Sequence, residues 1–176
     1  NPPAAYTPLI LGPSTSCING ESTYSLNNFS AHPFEIEWEV EGGSIINGQG
    51  SPQITIEWGD IAALYDLQIN VNICGVVYSS VFNVSLNEAQ TSFTINPNPI
   101  CPGEIVSFTT TSGLGDYSWD FGDGVGASSL QNPTYLYPIT TNAGTYTINL
   151  EYKDNNGCIA HYGTDIEVFA APKGIL

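Results

Sequence analysis

The chain has no arginine and only two lysines, Lys153 and Lys173, against 17 acidic residues, for a net charge of −15 over 176 residues. That balance argues against nucleic acid and anionic lipid as partners, because both need a positive surface. It favours a solvated surface that resists aggregation, with attraction of divalent cations or basic partners as the functional alternative. There is no methionine and no signal-peptide pattern at the start, so the sequence is expected to be a processed or excised piece of something secreted. No run of about 18 apolar residues exists, so no helical membrane insertion is expected. Cys-X-X-Cys spacing is missing, which disfavours zinc. Catalytic constellations are missing too. His32 precedes a proline, His161 sits near a hairpin, and neither belongs to a recognisable Ser-His-Asp or Cys-His motif. The expectation is a non-enzyme with no cofactor. Calcium is the one metal left open, since Asp116, Asp120, Asp123 and Asp154 supply hard oxygen donors.

What the chain does contain is a repeat. Cys17 and Cys74 lie 57 positions apart, as do Cys101 and Cys158, and the second pair follows the first by 84 positions. A shared offset marks an internal duplication, here of modules of roughly 85 residues each. The expected domains are 1–87 and 88–176, with a boundary at Asn87-Glu88-Ala89-Gln90. A linker that short is expected to give a stiff, end-to-end rod. Four cysteines allow three pairings. The repeat favours Cys17–Cys74 and Cys101–Cys158, because each module then closes on itself, a closure of about 4 kcal/mol in the chain-entropy model. Disulfides of this kind belong to an oxidising compartment. Asn-X-Ser sequons at Asn28 and Asn83 matter only where the source glycosylates them.

Helical periodicity of useful length is absent, and strand signals run throughout. In Phe34–Glu41, Phe34, Ile36, Trp38 and Val40 alternate with Glu35, Glu37, Glu39 and Glu41, which places one face on a core and one in water. The glutamate ladder reads as a solvated strand face rather than a cation stripe. Ile54–Trp58, Leu67–Ile73 and Val77–Leu86 continue the first module. Phe93–Ile95, Val106–Thr109, Tyr117–Phe121, Tyr146–Tyr152 and Ile166–Phe169 make up the second. About seven short strands per module, separated by Gly/Pro/Asn/Ser punctuation, describe an all-β chain of two immunoglobulin-like antiparallel β-sandwiches. Trp38 and Trp119 fit the buried tryptophan of a central strand.

One segment is more specific. In Tyr117-Ser118-Trp119-Asp120-Phe121-Gly122-Asp123-Gly124, Trp119 and Phe121 share a core-facing side. Asp120 and Asp123 flank a sharp turn whose amides their carboxylates can accept, and Gly122 and Gly124 permit backbone angles other residues resist. The segment closely resembles the signature of PKD domains, immunoglobulin-like modules. Asn132–Tyr137, Gly144–Leu150 and Asp154–Cys158 match the later elements of that family in order, so the resemblance covers about residues 91–170. The first module departs from it: Trp38-Glu39-Val40-Glu41-Gly42-Gly43 stands where the second has its Asp-Phe-Gly-Asp-Gly. Together with Gly43–Gly50 and Ile54–Gly59 it resembles PKD-like variants of Bacteroidota surface proteins.

The resemblance implies a non-catalytic spacer or adhesion module in a larger cell-surface adhesin, attached to an outer membrane. Such proteins are exported by type IX secretion and take part in gliding motility. Its partners would be neighbouring repeats of the same polypeptide, surface polysaccharide or another cell-surface protein. Two other readings stay open, a carbohydrate-binding accessory module of a secreted hydrolase and a self-assembling surface-fibre subunit. Tyr135 and Tyr137 share one strand face with Tyr152 and Tyr162 nearby; exposed they would stack on sugar rings, and buried they would be packing, the reading the pattern favours.

Overall fold

A computed structural model describes residues 6–27 and 35–170. Asn28, His32, Phe34 and Lys173 lie outside the described residues. The chain divides into two compact units, Asn1–Glu88 and Ala89–Leu176, and the described elements are all strands.

Among its described residues the first unit carries eight strands: β1 (Leu9–Leu11), β2 (Thr15–Cys17), β3 (Glu21–Asn27), β4 (Glu35–Val40), β5 (Gly43–Asn47), β6 (Gln53–Trp58), β7 (Leu64–Ile73) and β8 (Val76–Asn87). They form two four-stranded sheets in the orders β1-β3-β6-β5 and β2-β8-β7-β4. Every pairing is antiparallel except β2 with β8, which runs parallel and sets Cys17 opposite Asn87. Period-2 alternation explains the packing. Ile36 and Trp38 of β4, Ile54, Ile56 and Trp58 of β6, and Leu67, Ile69 and Val71 of β7 are buried, and their neighbours in sequence turn outward. Tyr24 and Leu26 of β3 complete this core from a strand the sequence pattern does not announce.

Among its described residues the second unit carries seven: β9 (Phe93–Asn96), β10 (Ile105–Thr110), β11 (Gly115–Asp120), β12 (Ala127–Ser128), β13 (Thr134–Leu136), β14 (Gly144–Asp154) and β15 (Ile159–Val168). Its sheets run β13-β10-β9 and β12-β11-β14-β15. After β9 the chain crosses between sheets, and Ile100 makes a parallel bridge to Val168 at the end of β15. Asn98 secures the crossing: its Nδ2 donates to the Asp165 carbonyl and its Oδ1 accepts the Glu167 amide, both at 3.1 Å. The core is strongly aromatic. Trp119 lies 4.8 Å from Phe93 and 5.5 Å from Phe108 between ring centroids, and Phe108 lies 4.9 Å from Phe121. Aromatic pairs at these separations add to the burial they already contribute.

The expected pairing of the cysteines within each module is corrected here. Cys74 and Cys101 are exposed free thiols, whereas Cys17 and Cys158 are disulfide-bonded. Strand register explains why neither Cys17–Cys74 nor Cys101–Cys158 can form. Cys17 sits beside Asn87 at one end of β8, and Cys74 sits in the turn before Val76 at its other end. Eleven steps along a strand span roughly 36 Å, while a disulfide needs Cα atoms within about 7 Å. In the second unit Cys101 follows Ile100, the partner of Val168, and Cys158 precedes Ile159 at the opposite end of β15. That separation is roughly 30 Å at strand rise.

Candidate functional site

The sequence motif of the second unit folds as a closed turn at the end of β11. The side chain of Asp120 accepts the Gly122 amide at 2.9 Å. Asp123 Oδ1 accepts the amides of Val125 at 3.0 Å and Gly126 at 2.8 Å, and its Oδ2 accepts the Tyr135 hydroxyl at 2.5 Å. The Phe121 amide donates to the Gly126 carbonyl at 3.1 Å and closes the loop. Below it, Phe121 stacks on Tyr135 with centroids 4.3 Å apart and rings 12° from parallel, and the buried Tyr137 hydroxyl donates to the Phe121 carbonyl at 2.7 Å. Both carboxylates of the motif are thus engaged by groups of their own turn and of β13, the bracing role the residue types imply.

The glycines are required for different reasons. Gly122 has φ +77°, and a Cβ there would lie 2.4 Å from the Thr147 carbonyl oxygen. Gly124 has φ +76° with open space around it, so only its backbone conformation demands glycine.

Charge and burial act against each other here. Burial pushes the Asp123 carboxyl up, but the Tyr135 hydroxyl and the Gly126 and Val125 amides outweigh it and hold the group below its ordinary value of 3.8. Burial and the Asp123 carboxylate together push Tyr135 up to about 12. Tyr137 is raised as well, by burial first and then by the charge of Asp123. The site therefore favours one state over a wide pH range, a carboxylate beside neutral phenols.

The first unit places Trp38 equivalently. Trp38 Nε1 donates to the Ser51 carbonyl at 2.9 Å, as Trp119 Nε1 donates to the Leu130 carbonyl at 2.8 Å. In each case the buried indole ties its strand to a loop more than ten residues downstream. No aspartate turn follows Trp38. The Gln49 side chain instead donates to the Trp38 carbonyl at 3.0 Å, and Gly59 donates to the Gly42 carbonyl at 2.8 Å.

The candidate ligand groups fall in two pairs, Asp120 with Asp123 in the turn after β11 and Asp116 with Asp154 around one surface pocket. Among the described residues no three His, Cys, Asp or Glu side chains gather as a metal site. Asp154 Oδ1 accepts the Asn156 and Cys158 amides, both at 2.9 Å, in the last hairpin. Glu35 and Glu39 accept from Asn72 and Asn70 on the neighbouring strand. His161 lies 3.9 Å from Glu151 on the surface, and Glu151 stands between it and Ser118 across three neighbouring strands. The tyrosines do not form an exposed row: Tyr137 and Tyr152 are buried, Tyr135 is half-buried against Phe121, and Tyr162 packs edge-on to Phe93 at 5.2 Å. Asn83 is exposed on β8, where its side-chain amide donates to Asp66.

Tyr135 and Tyr137 are the functional residues of the turn that sequence reasoning did not assign to it. Their signal is present, since both are the tyrosines of the Thr134-Tyr135-Leu136-Tyr137 alternation, but nothing local says that the phenols reach back to residues 121 and 123.

Comparison with known families accounts for both units. The PKD domain profile matches residues 89–168, and the PKD-like domain profile matches residues 2–84. Among solved structures, the PKD1 domain of Vibrio anguillarum Epp is 28% identical, over 47% of this chain and 94% of that one, with a TM-score of 0.38. The three N-terminal domains of the bacteriophage RB49 highly immunogenic outer capsid protein are 16% identical, with a TM-score of 0.51. That match covers 93% of this chain and 59% of that one, a likeness of fold alone. No helix among the described residues is long and apolar enough to cross a membrane.

Proposed function

For a chain of two tandem PKD-type domains, we propose the role of a non-catalytic spacer or adhesion segment of a larger cell-surface protein. PKD domains are typically non-catalytic accessory modules, and together with the disulfide-bonded cysteines they point to an extracellular protein. The observation that carries the proposal is the internal use of the signature residues. Asp123, Tyr135 and Tyr137 spend their polar atoms on the turn and on each other, and the exposed Asp120 accepts one amide of the same turn, so the motif stabilises a module. In this reading the net charge of −15 keeps the segment soluble among like-charged neighbours.

The finer assignment is to a gliding-motility or adhesion protein of Bacteroidota, exported by type IX secretion and held at the outer membrane. Neighbouring repeats, surface polysaccharide or another surface protein are its partners. The first module's Gly42-Gly43 segment and the Ile54–Gly59 strand support that placement by resemblance.

An antibody against this segment tests the reading on source cells. Labelling of intact cells, together with a species of hundreds of kilodaltons on a denaturing gel, is the expected result. A species near 18.8 kDa, or one reached only after cell lysis, would overturn it.

A further inference from the structure

The four cysteines fall into two structural kinds, one of each per module. Cys17 and Cys101 both lie where an early segment pairs in parallel with the end of the last strand: Cys17 beside Asn87 of β8, and Cys101 immediately after Ile100, which bridges Val168 of β15. Each also accepts the same type of turn bond. Gly20 donates to the Cys17 carbonyl and Glu104 donates to the Cys101 carbonyl, both at 3.2 Å. Cys74 and Cys158 both lie in the hairpin turn between the last two long strands, β7–β8 and β14–β15.

One cysteine of each kind, Cys17 and Cys158, is disulfide-bonded, and the other of each kind, Cys101 and Cys74, is an exposed thiol. The register distances above exclude closure within a module. Each free thiol therefore occupies a position at which its repeat counterpart already makes a disulfide.

The two thiols are held on ordered ends with apolar neighbours. Cys74 and Gly75 form a two-residue turn with φ +53° and +85°, the primed geometry of a tight hairpin, and the Gly75 amide donates to Asn72 Oδ1 at 3.0 Å. Val76 and Val77 beside it are exposed. The Cys101 amide donates to Glu104 Oε2 at 2.8 Å. Two residues on, the Gly103 amide donates to the Tyr137 carbonyl at 2.7 Å, and the exposed Ile139 flanks Gly103. Both sites thus pair a fixed thiol with aliphatic surface that a docking module can cover.

We propose that Cys74 and Cys101 are complementary joining thiols. Cys74 at the hairpin end of one PKD-type module bonds the Cys101-type position of another, so that modules link covalently end to end. The inference rests on the reading of this chain as a segment of a multi-module protein, though its test uses the chain alone. In the joining step two thiols give up two protons and two electrons as one S–S bond forms. A low-molecular-weight disulfide accepts them and is released as two thiols.

The test incubates the chain with oxidised and reduced glutathione and follows it on non-reducing gels with peptide mass mapping. The unaltered chain is expected to give a ladder of multimers containing the Cys74–Cys101 cross-link. Cys74→Ser and Cys101→Ser, each alone, are expected to stay monomeric, and their equimolar mixture to give a dimer joined through Cys101 of the first and Cys74 of the second. Both positions are exposed turns, so the variants are expected to melt with the unaltered chain, and that control is run alongside. Dimerisation of either single variant to the extent of the mixture would overturn the proposal. So would a mixture that ends as monomers capped by glutathione. Absence of surface labelling on source cells would overturn the functional reading and leave this pairing result standing on its own.

Discussion

The two modules handle the same problem, how to leave the central strand after its core tryptophan, in different ways. In the second, β11 ends in the aspartate-braced turn and the chain returns on β12 to pair with β11 in the same sheet. In the first, β4 ends at Val40, Gly42 takes φ +69°, and β5 pairs with β6 in the opposite sheet. The turn chemistry separates these routes. Asp120 and Asp123 satisfy three amides of a tight reversal from within, so the chain can double back. Glu39 and Glu41 leave no comparable brace: Glu39 reaches across to Asn70, and the Glu41 amide donates to the Asp66 carbonyl. What both modules keep is the indole clamp, from Trp38 to Ser51 and from Trp119 to Leu130. The core tryptophan is thus the shared element of the fold, and the motif after it decides which sheet receives the next strand.

The shared element should show the largest effect. Trp38→Ala and Trp119→Ala are each expected to destabilise by about 3–5 kcal/mol in denaturant titrations, as large core truncations do. Equal, large losses would confirm the clamp as common to both modules; wild-type midpoints for either would break that half of the comparison.

The turn is where the modules should diverge. Asp123→Ala strands two amides and the Tyr135 hydroxyl and is expected to cost about 2–3 kcal/mol. Glu39→Ala on the solvated face of β4 is expected to stay within about 0.5 kcal/mol. Similar midpoint shifts for the two variants would mean that the aspartate turn braces nothing. Within the turn, Gly122→Ala should cost more than Gly124→Ala. Both carry the left-handed backbone penalty of about 1–2 kcal/mol, but only Gly122 would also meet a carbonyl oxygen.

The pH profile is the subtlest difference. A phenol whose pKa rises on folding contributes stability that is complete below its unfolded value and lost as pH climbs through its folded value. For Tyr135 that window runs from 10.0 to about 12. Asp123, held below 3.8, contributes above that value and loses its contribution as pH falls through the lower folded value. Tyr135→Phe is expected to flatten the alkaline limb of stability against pH, although Tyr137 is also raised and will keep part of it. An unchanged alkaline limb in the Tyr135→Phe variant would contradict the Asp123–Tyr135 pairing.

Much of this molecule is legible in the residues alone. The alternation in Ile36–Val40 and in Tyr146–Tyr152 has period two because successive side chains of a strand point to opposite faces, and those strands stand where that period puts them. The Asp-Phe-Gly-Asp-Gly turn is equally readable, since its carboxylates and glycines act on amides within six residues. Strands β1, β2 and β5 are less so. They are short and carry little periodicity, and they exist because a neighbouring strand offers them hydrogen bonds.

Cysteine chemistry marks the limit. Spacing alone establishes that Cys17 matches Cys101 and that Cys74 matches Cys158, because duplication copies position. It carries no information on which end of a strand each position occupies. Pairing depends on distance in space, and here the parallel pairing of β2 with β8 and the Ile100–Val168 bridge put the two cysteines of each module at opposite ends of the last strand. The residues by themselves determined two β-sandwich modules, their core tryptophans and the turn that braces one of them, because these are local consequences of periodicity and side-chain reach. Only the tertiary structure decided which thiols are bonded and which are free, and that Tyr135 and Tyr137 serve the turn, because those outcomes depend on register between segments far apart in the chain.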